Sequence, residues 1–310
     1  LEYLTEVECP ERPRTRPSTQ WWNKVRAIAR NIVPGAGGGE GEIVQRNAAL
    51  FGDHFRLSPV ETSMLTFVAL YKLFDGFEHV VDGALETGEV TVPLLLSWFC
   101  AAPEPEIRSA MRASGRLTNA GLVQRNQRGR RNRMPFDLSD RLTLALLAEV
   151  DSIADLIALM FPRAAAPEAE WQDFEGLGRD AELMRDLLTR ALAESKPGIH
   201  ILLYGPPGTG KTEFAKVLAC EIGAELRAVG ETDDDGGEPS RRERLAELTM
   251  ASRMLGQRSD TILLFDEMED LFGTGGFFFN RETVSKVHFN RILETNPIPV
   301  IWTTNSVAAC

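Results

Sequence analysis

The chain has 310 residues, 43% hydrophobic and 25% charged, which excludes a disordered or low-complexity protein and leaves room for two globular domains. A formal net charge of −11 argues against a general nucleic-acid coat, although a local basic patch stays open. Cys9, Cys100, Cys220 and Cys310 form no C-x-x-C pair for zinc or redox exchange, so reduced thiols in a cytoplasm are expected. The longest apolar run, VPLLLSWFCAA, is too short to span a bilayer, and the charged first residues do not read as a signal peptide. Leu1 in place of Met, and an apolar run just before Cys310, give the expectation of a fragment.

Residues 1–45, with ERPRTRPSTQ and PGAGGGEGE, read as a flexible N-terminal arm, in which WWNKVRAIARNIV could form one short helix. A compact unit over 46–161 follows. Ser58, Pro59 and Glu61 make a capping box with Pro at the first helical position, and Val60, Met64, Phe67, Val68 and Tyr71 repeat at helical spacing, predicting a helix over 59–75. Further helices are expected over 91–101, 104–113 and 139–160. Between them AGLVQ and MPFDLS read as two strands joined by a loop, RNQRGRRNR, that holds five arginines in nine residues. Helices followed by a small hairpin describe a winged-helix-like module, mainly α. Its loop is either a solvated loop on a protein-binding module, which the acidic whole favours, or a wing that touches phosphates. PRAAAPEAE, within 162–170, has linker composition.

From 171 to 310 short apolar strands alternate with helices: strands at 200–204, 225–229, 261–265 and 298–303, helices from 211, over 241–255 and over 281–294. This order predicts an α/β parallel sheet covered on both faces, with ligands at the carboxyl ends of its strands. At the first such end stands GPPGTGKT. Gly205, Gly208 and Gly210 let the backbone take positive φ and approach a ligand closely, and their N–H groups join the positive end of the next helix. The G-x-x-x-x-G-K-T spacing sets the Lys211 ammonium toward β/γ-phosphates and the Thr212 hydroxyl toward Mg²⁺. A glycine turn without a ligand does not account for strand, loop and helix standing in this order.

The sequence TILLFDEMED places Asp266 and Glu267 after an apolar strand, 55 residues beyond Lys211. An Asp there can hold the Mg²⁺ shell, and the adjacent Glu can polarise a water for attack on a γ-phosphate. A phosphotransferase would exclude that water, so a P-loop kinase is disfavoured. PIPVIWTTNS ends a further strand in Thr304 and Asn305, whose amide could orient the attacking water.

GPPGTGKT, LLFDE and the strand ending in TTN resemble the AAA (AAA+) family of ATPases over residues 171–310, and the preceding winged-helix-like unit looks like that of a bacterial group within it. The resemblance implies that Gly205, Pro206, Pro207, Gly208, Thr209, Gly210, Lys211 and Thr212 bind ATP as the Walker A loop. Asp266 and Glu267 would then be the Walker B pair and Asn305 the sensor. The cofactors would be ATP and Mg²⁺, the metal held by Thr212 and Asp266, with Glu267, Asn305 and Lys211 catalytic. Family members add a fifth strand, arginine fingers and a helical lid; these would lie beyond Cys310, leaving this piece hydrolytically poor by itself. Where many carry an aromatic gripping loop this chain has GETDDDGGEPS, and GTGGFFFNR, with Phe277, Phe278 and Phe279, is a candidate substitute or a buried plug. The implied function is a cytoplasmic, ring-forming homo-oligomer that couples ATP hydrolysis to remodelling of a protein partner, with no membrane. The alternative is a nucleic-acid-associated loader or regulator whose winged-helix module binds DNA.

Overall fold

A computed structural model describes residues 40–86, 88, 90–112, 114–125, 134–229, 241–256, 258–268 and 286–305. The rest of the expected arm, the arginine loop over 126–133, the acidic loop over 230–240 and the three phenylalanines lie outside these residues. The chain divides into two compact units, Leu1–Leu156 and Ile157–Cys310. Among the described residues no helix is long and apolar enough to cross a membrane.

Among the described residues the first element is α1 (Glu40–Phe55), which starts inside the stretch expected as an arm. Val44, Ala48 and Phe51 recur at helical spacing and are fully buried, and this apolar stripe overrides the glycine-rich composition just before it. Helix α2 (Pro59–Leu73) opens as expected: Glu61 N–H donates to Ser58 Oγ at 3.2 Å, and Ser58 N–H donates to Glu61 Oε2 at 2.8 Å. Then come α3 (Asp75–Glu86), which the sequence pattern does not separate from its neighbours, α4 (Val92–Phe99), α5 (Glu104–Ala110) and the single turn α6 (Arg116–Asn119). The two strands are short: β1 (Gln124–Arg125) pairs antiparallel with β2 (Phe136–Asp137), Gln124 opposite Asp137 and Arg125 opposite Phe136.

In place of the one helix expected over 139–160 the structure has two, α7 (Asp140–Leu147) and α8 (Ile153–Met160), because Ala148 turns to an extended conformation. The carbonyls freed at that break are taken by a distant side chain: buried Asn47 on α1 donates from Nδ2 to Ala145 O and Leu146 O at 3.1 Å and to Ala148 O at 2.8 Å. That is a C-terminal cap supplied from another helix.

The second unit is a four-stranded parallel sheet in the order β3 (His200–Tyr204), β6 (Val300–Thr304), β5 (Thr261–Phe265), β4 (Glu225–Val229). Every residue of β5 and β6 is buried, as central strands require, whereas the edge strand β3 exposes Leu202 and Tyr204. Helices α9 (Arg179–Glu194), α10 (Lys211–Glu221), α11 (Arg241–Leu255) and α12 (Lys286–Thr295) alternate with the strands. Apolar residues of α9, α10 and the sheet, among them Leu188, Phe214, Leu218, Ile262 and Ile301, form a shared core. Trp302 Nε1–H donates to His200 Nδ1 at 3.0 Å, and His200 Nε2 lies 2.8 Å from Leu293 O. The indole donor leaves the proton on Nε2, and burial holds the His200 pKa below its usual value.

Within residues 162–170, expected as a linker, Arg163 and Ala164 lie beside the edge strand β4. Arg163 bridges Arg227 in antiparallel sense, and Ala164 N–H donates to Leu226 O at 2.8 Å. Farther on, the amides of Glu168 and Ala169 donate to Glu213 Oε1 in the first turn of α10. The segment thus pairs one stretch of the edge-strand backbone, at Leu226–Arg227.

Candidate functional site

Three strand ends converge on one place. Beyond β3 the chain runs through residues 205–210 into α10. Gly208 and Gly210 have φ of 76° and 79°, a left-handed conformation that a side chain at either position would strain. Pro206, Pro207, Gly208 and Thr209 are exposed, so the outer rim of the loop is open to a ligand. From below, the Phe174 ring lies 3.6 Å from where a Cβ on Gly210 would stand, and it packs on Phe214 with ring centroids 5.0 Å apart. Phe174 belongs to a 3₁₀ turn over Trp171–Leu177, which the Glu213 contacts described above bring to this side of the loop.

Lys211 folds back over the loop. Its Nζ donates to Gly205 O at 2.9 Å, Pro206 O at 3.0 Å and Asn305 Oδ1 at 2.9 Å, all neutral oxygens. A phosphate would offer charged oxygens to the same ammonium and form stronger bonds with it. Asn305, one residue beyond β6, therefore meets Lys211 directly.

Beyond β5 stand Asp266 and Glu267. The Asp266 carboxylate accepts a hydrogen bond from Thr212 Oγ1 at 2.9 Å and another from the Thr303 hydroxyl. Thr303 Oγ1 in turn accepts the Glu267 N–H at 3.1 Å, and Thr303 O accepts the Met268 N–H at 2.9 Å. The sequence expectation names Thr304 and Asn305 but not Thr303. A signal for it exists in the period of two, which puts Thr303 on the same face of the strand as Asn305. Glu267 is exposed and has φ of 53°, a conformation that costs a non-glycine residue about 1–3 kcal/mol and persists only where surrounding bonds impose it.

The oxygen donors Thr212 Oγ1 and Asp266 Oδ2 suit a hard cation such as Mg²⁺, which characteristically takes one or two carboxylates plus phosphate oxygens. No group of three or more His, Cys, Asp or Glu side chains arranged to hold a metal occurs among the described residues, so such a cation would depend on its ligand's oxygens. Cys100 supplies no nucleophile, since burial pushes its pKa up to about 12. Chemically the site offers one ammonium, a carboxylate–hydroxyl pair, an amide and one exposed carboxylate around a glycine loop.

Residues 201–309 match the family model described as ATPase family associated with various cellular activities (AAA). Among curated relatives, a proteasome-associated ATPase of Saccharopolyspora erythraea is 31% identical over 137 residues, 36% of this chain and 23% of the relative. An AAA ATPase forming ring-shaped complexes, from Corynebacterium glutamicum, is 30% identical over 130 residues, 36% of this chain and 24% of the relative. The human ATPase family gene 2 protein homolog B is 34% identical over 119 residues, 36% and 16% of the two chains. The chain spans less than a quarter of the length of each of these relatives.

Proposed function

We infer, since residues 201–309 are a domain of the AAA family of ATPases, that the chain binds ATP with Mg²⁺ and hydrolyses it. The observation that carries this reading is the meeting at three strand ends of two hydrogen-bonded groups, Lys211 with Asn305 and Asp266 with Thr212 and Thr303, joined in sequence at Lys211–Thr212. Residues 205–210 would cradle the phosphates through backbone N–H groups, with Lys211 exchanging its carbonyl partners for phosphate oxygens. Thr212 and Asp266 would hold the metal. Mg²⁺, when bound with the nucleotide, supplies charge neutralisation at the phosphates. Glu267, exposed beside them, would take a proton from the attacking water, and Asn305 would orient that water.

Two relatives are named for ring-shaped complexes and for association with the proteasome. Their likeness supports a homo-oligomeric ring in the cytoplasm that couples hydrolysis to remodelling of a protein partner, recruited by the first unit as a winged-helix-like module. The direct test is a pair of variants of the chain. Lys211→Ala should lower ATP affinity at least tenfold in a titration with a fluorescent ATP analogue. Glu267→Gln should keep that affinity and slow single-turnover hydrolysis by about 10²–10⁴-fold. Unchanged affinity in the folded Lys211 variant would remove the phosphate cradle from the assignment; parental hydrolysis by the Glu267 variant would move the base elsewhere.

A further inference from the structure

We propose that Arg244 is a positioning residue for Glu267, fixing the backbone from which that carboxylate reaches the site; this rests on the ATPase reading above. Arg244 stands in the first turn of α11, on a different element from any motif in the sequence, and is only 6% exposed. Its guanidinium forks onto consecutive carbonyls: one terminal nitrogen donates to Asp266 O at 2.5 Å, the other to Glu267 O at 3.2 Å. The same group lies over the Phe265 ring, 4.6 Å from its centroid. A single side chain therefore touches three successive residues, 265 to 267, at the point where β5 ends.

The backbone at that point is the one that needs holding. With φ of 53°, Glu267 is one of four non-glycine residues with positive φ among those described. Relaxing it to the ordinary helical value of about −63° would turn φ by roughly 115° and redirect the Cα–Cβ bond away from its present course. Four hydrogen bonds oppose that rotation. Thr303 takes the N–H groups of Glu267 and Met268, and Arg244 takes the C=O groups of Asp266 and Glu267. Thr303 acts from the neighbouring strand and Arg244 from the helix, so the two grips are independent. A lysine could not reproduce the second one, because an ammonium is a point donor without the planar fork that spans two carbonyls.

The test compares Arg244→Met, Arg244→Lys and Glu267→Gln in the full 310-residue chain. Three quantities are read: affinity for a fluorescent ATP analogue, single-turnover hydrolysis, and hydrogen exchange at the Glu267 and Met268 amides. Arg244→Met should bind nucleotide within twofold of the parent, hydrolyse at least tenfold more slowly, and exchange the two amides at least tenfold faster while the β5 and β6 amides keep their protection. Arg244→Lys, which keeps the cation over Phe265, should fall between parent and Met variant in both rate and exchange. Where the Met variant does not fold, the Lys variant decides by the same two readings. Adding Arg244→Met to Glu267→Gln should slow hydrolysis no further, since both act through one carboxylate. Unchanged exchange at Glu267 and Met268, or affinity lost in step with rate, would overturn the assignment. A parent chain that binds no nucleotide would instead sink the ATPase reading, and the exchange measurement would still decide whether Arg244 holds this backbone.

Discussion

Thr303 carries three hydrogen bonds in 1% exposure: its hydroxyl donates to Asp266 and accepts from Glu267, and its carbonyl accepts from Met268. Its hydroxyl is thus the meeting point of the two acidic residues on which the proposed chemistry depends. Thr303→Val keeps the shape and removes that hydroxyl, leaving the Glu267 N–H without its partner. Stranding a donor in this way costs about 1–3 kcal/mol. A lowered denaturant midpoint for the second unit, together with slower hydrolysis at little-changed nucleotide affinity, is the expected result; a variant of parental stability would show that solvent replaces the bond. At this scale the sequence speaks clearly wherever a residue type is tied to a fixed spacing. Gly205 to Thr212 and the Asp266–Glu267 pair are of that kind. Arg244 and Phe174 are silent, because an arginine on a helix and a phenylalanine before a helix are ordinary residues until the fold brings them to the site, and Thr303 is marked only by its period-of-two spacing from Asn305.

Among the elements, α10 is tied to the segment before it through one carboxylate. Glu213 is held below the usual glutamate range by hydrogen bonds from the Glu168 and Ala169 amides, with Lys216 adding a contact at 3.1 Å. Because the folded pKa is depressed, this tether contributes its full stability above the ordinary glutamate pKa and loses it as the pH falls through the folded value. Glu213→Gln should therefore destabilise the second unit at neutral pH, with the gap from the parent closing below about pH 4. Urea midpoints of both proteins across that range check it, and a gap independent of pH would assign the effect to packing. The strands are legible because a buried parallel sheet writes itself as short apolar runs between helices. What is not legible depends on partners far along the chain. The break in the helix over 139–160 has one local mark, Ser152 three residues before Asp155, whose N–H donates to Ser152 Oγ at 3.3 Å and so starts α8. The side chain that donates to the carbonyls freed at Ala148 is Asn47, about a hundred residues earlier, and nothing local announces it. Composition likewise reads 162–170 as a linker, and does not announce that Arg163 and Ala164 pair with the edge strand β4.

At the scale of the whole molecule, the protein and nucleic-acid readings differ in one measurable quantity. The chain carries −11 overall, while residues 125–133 collect five arginines without an acidic residue. If those arginines bound phosphates, duplex affinity would fall steeply with salt, log K changing by about −0.9 per phosphate neutralised for each unit of log salt. If the first unit instead receives a protein, the surrounding negative field repels DNA at low salt as well, where screening is weakest and repulsion reaches farthest. For this chain the second outcome is expected: fluorescence anisotropy with a labelled duplex should show no saturable binding below about 10⁻⁴ M at roughly 150 mM salt, the weak end of non-specific affinities. Lowering the salt to about 50 mM should recover little. A micromolar complex with a slope of three or more would reverse the assignment, because only a set of concerted phosphate contacts produces such a slope, and the ATPase would then have to be read as acting on nucleic acid.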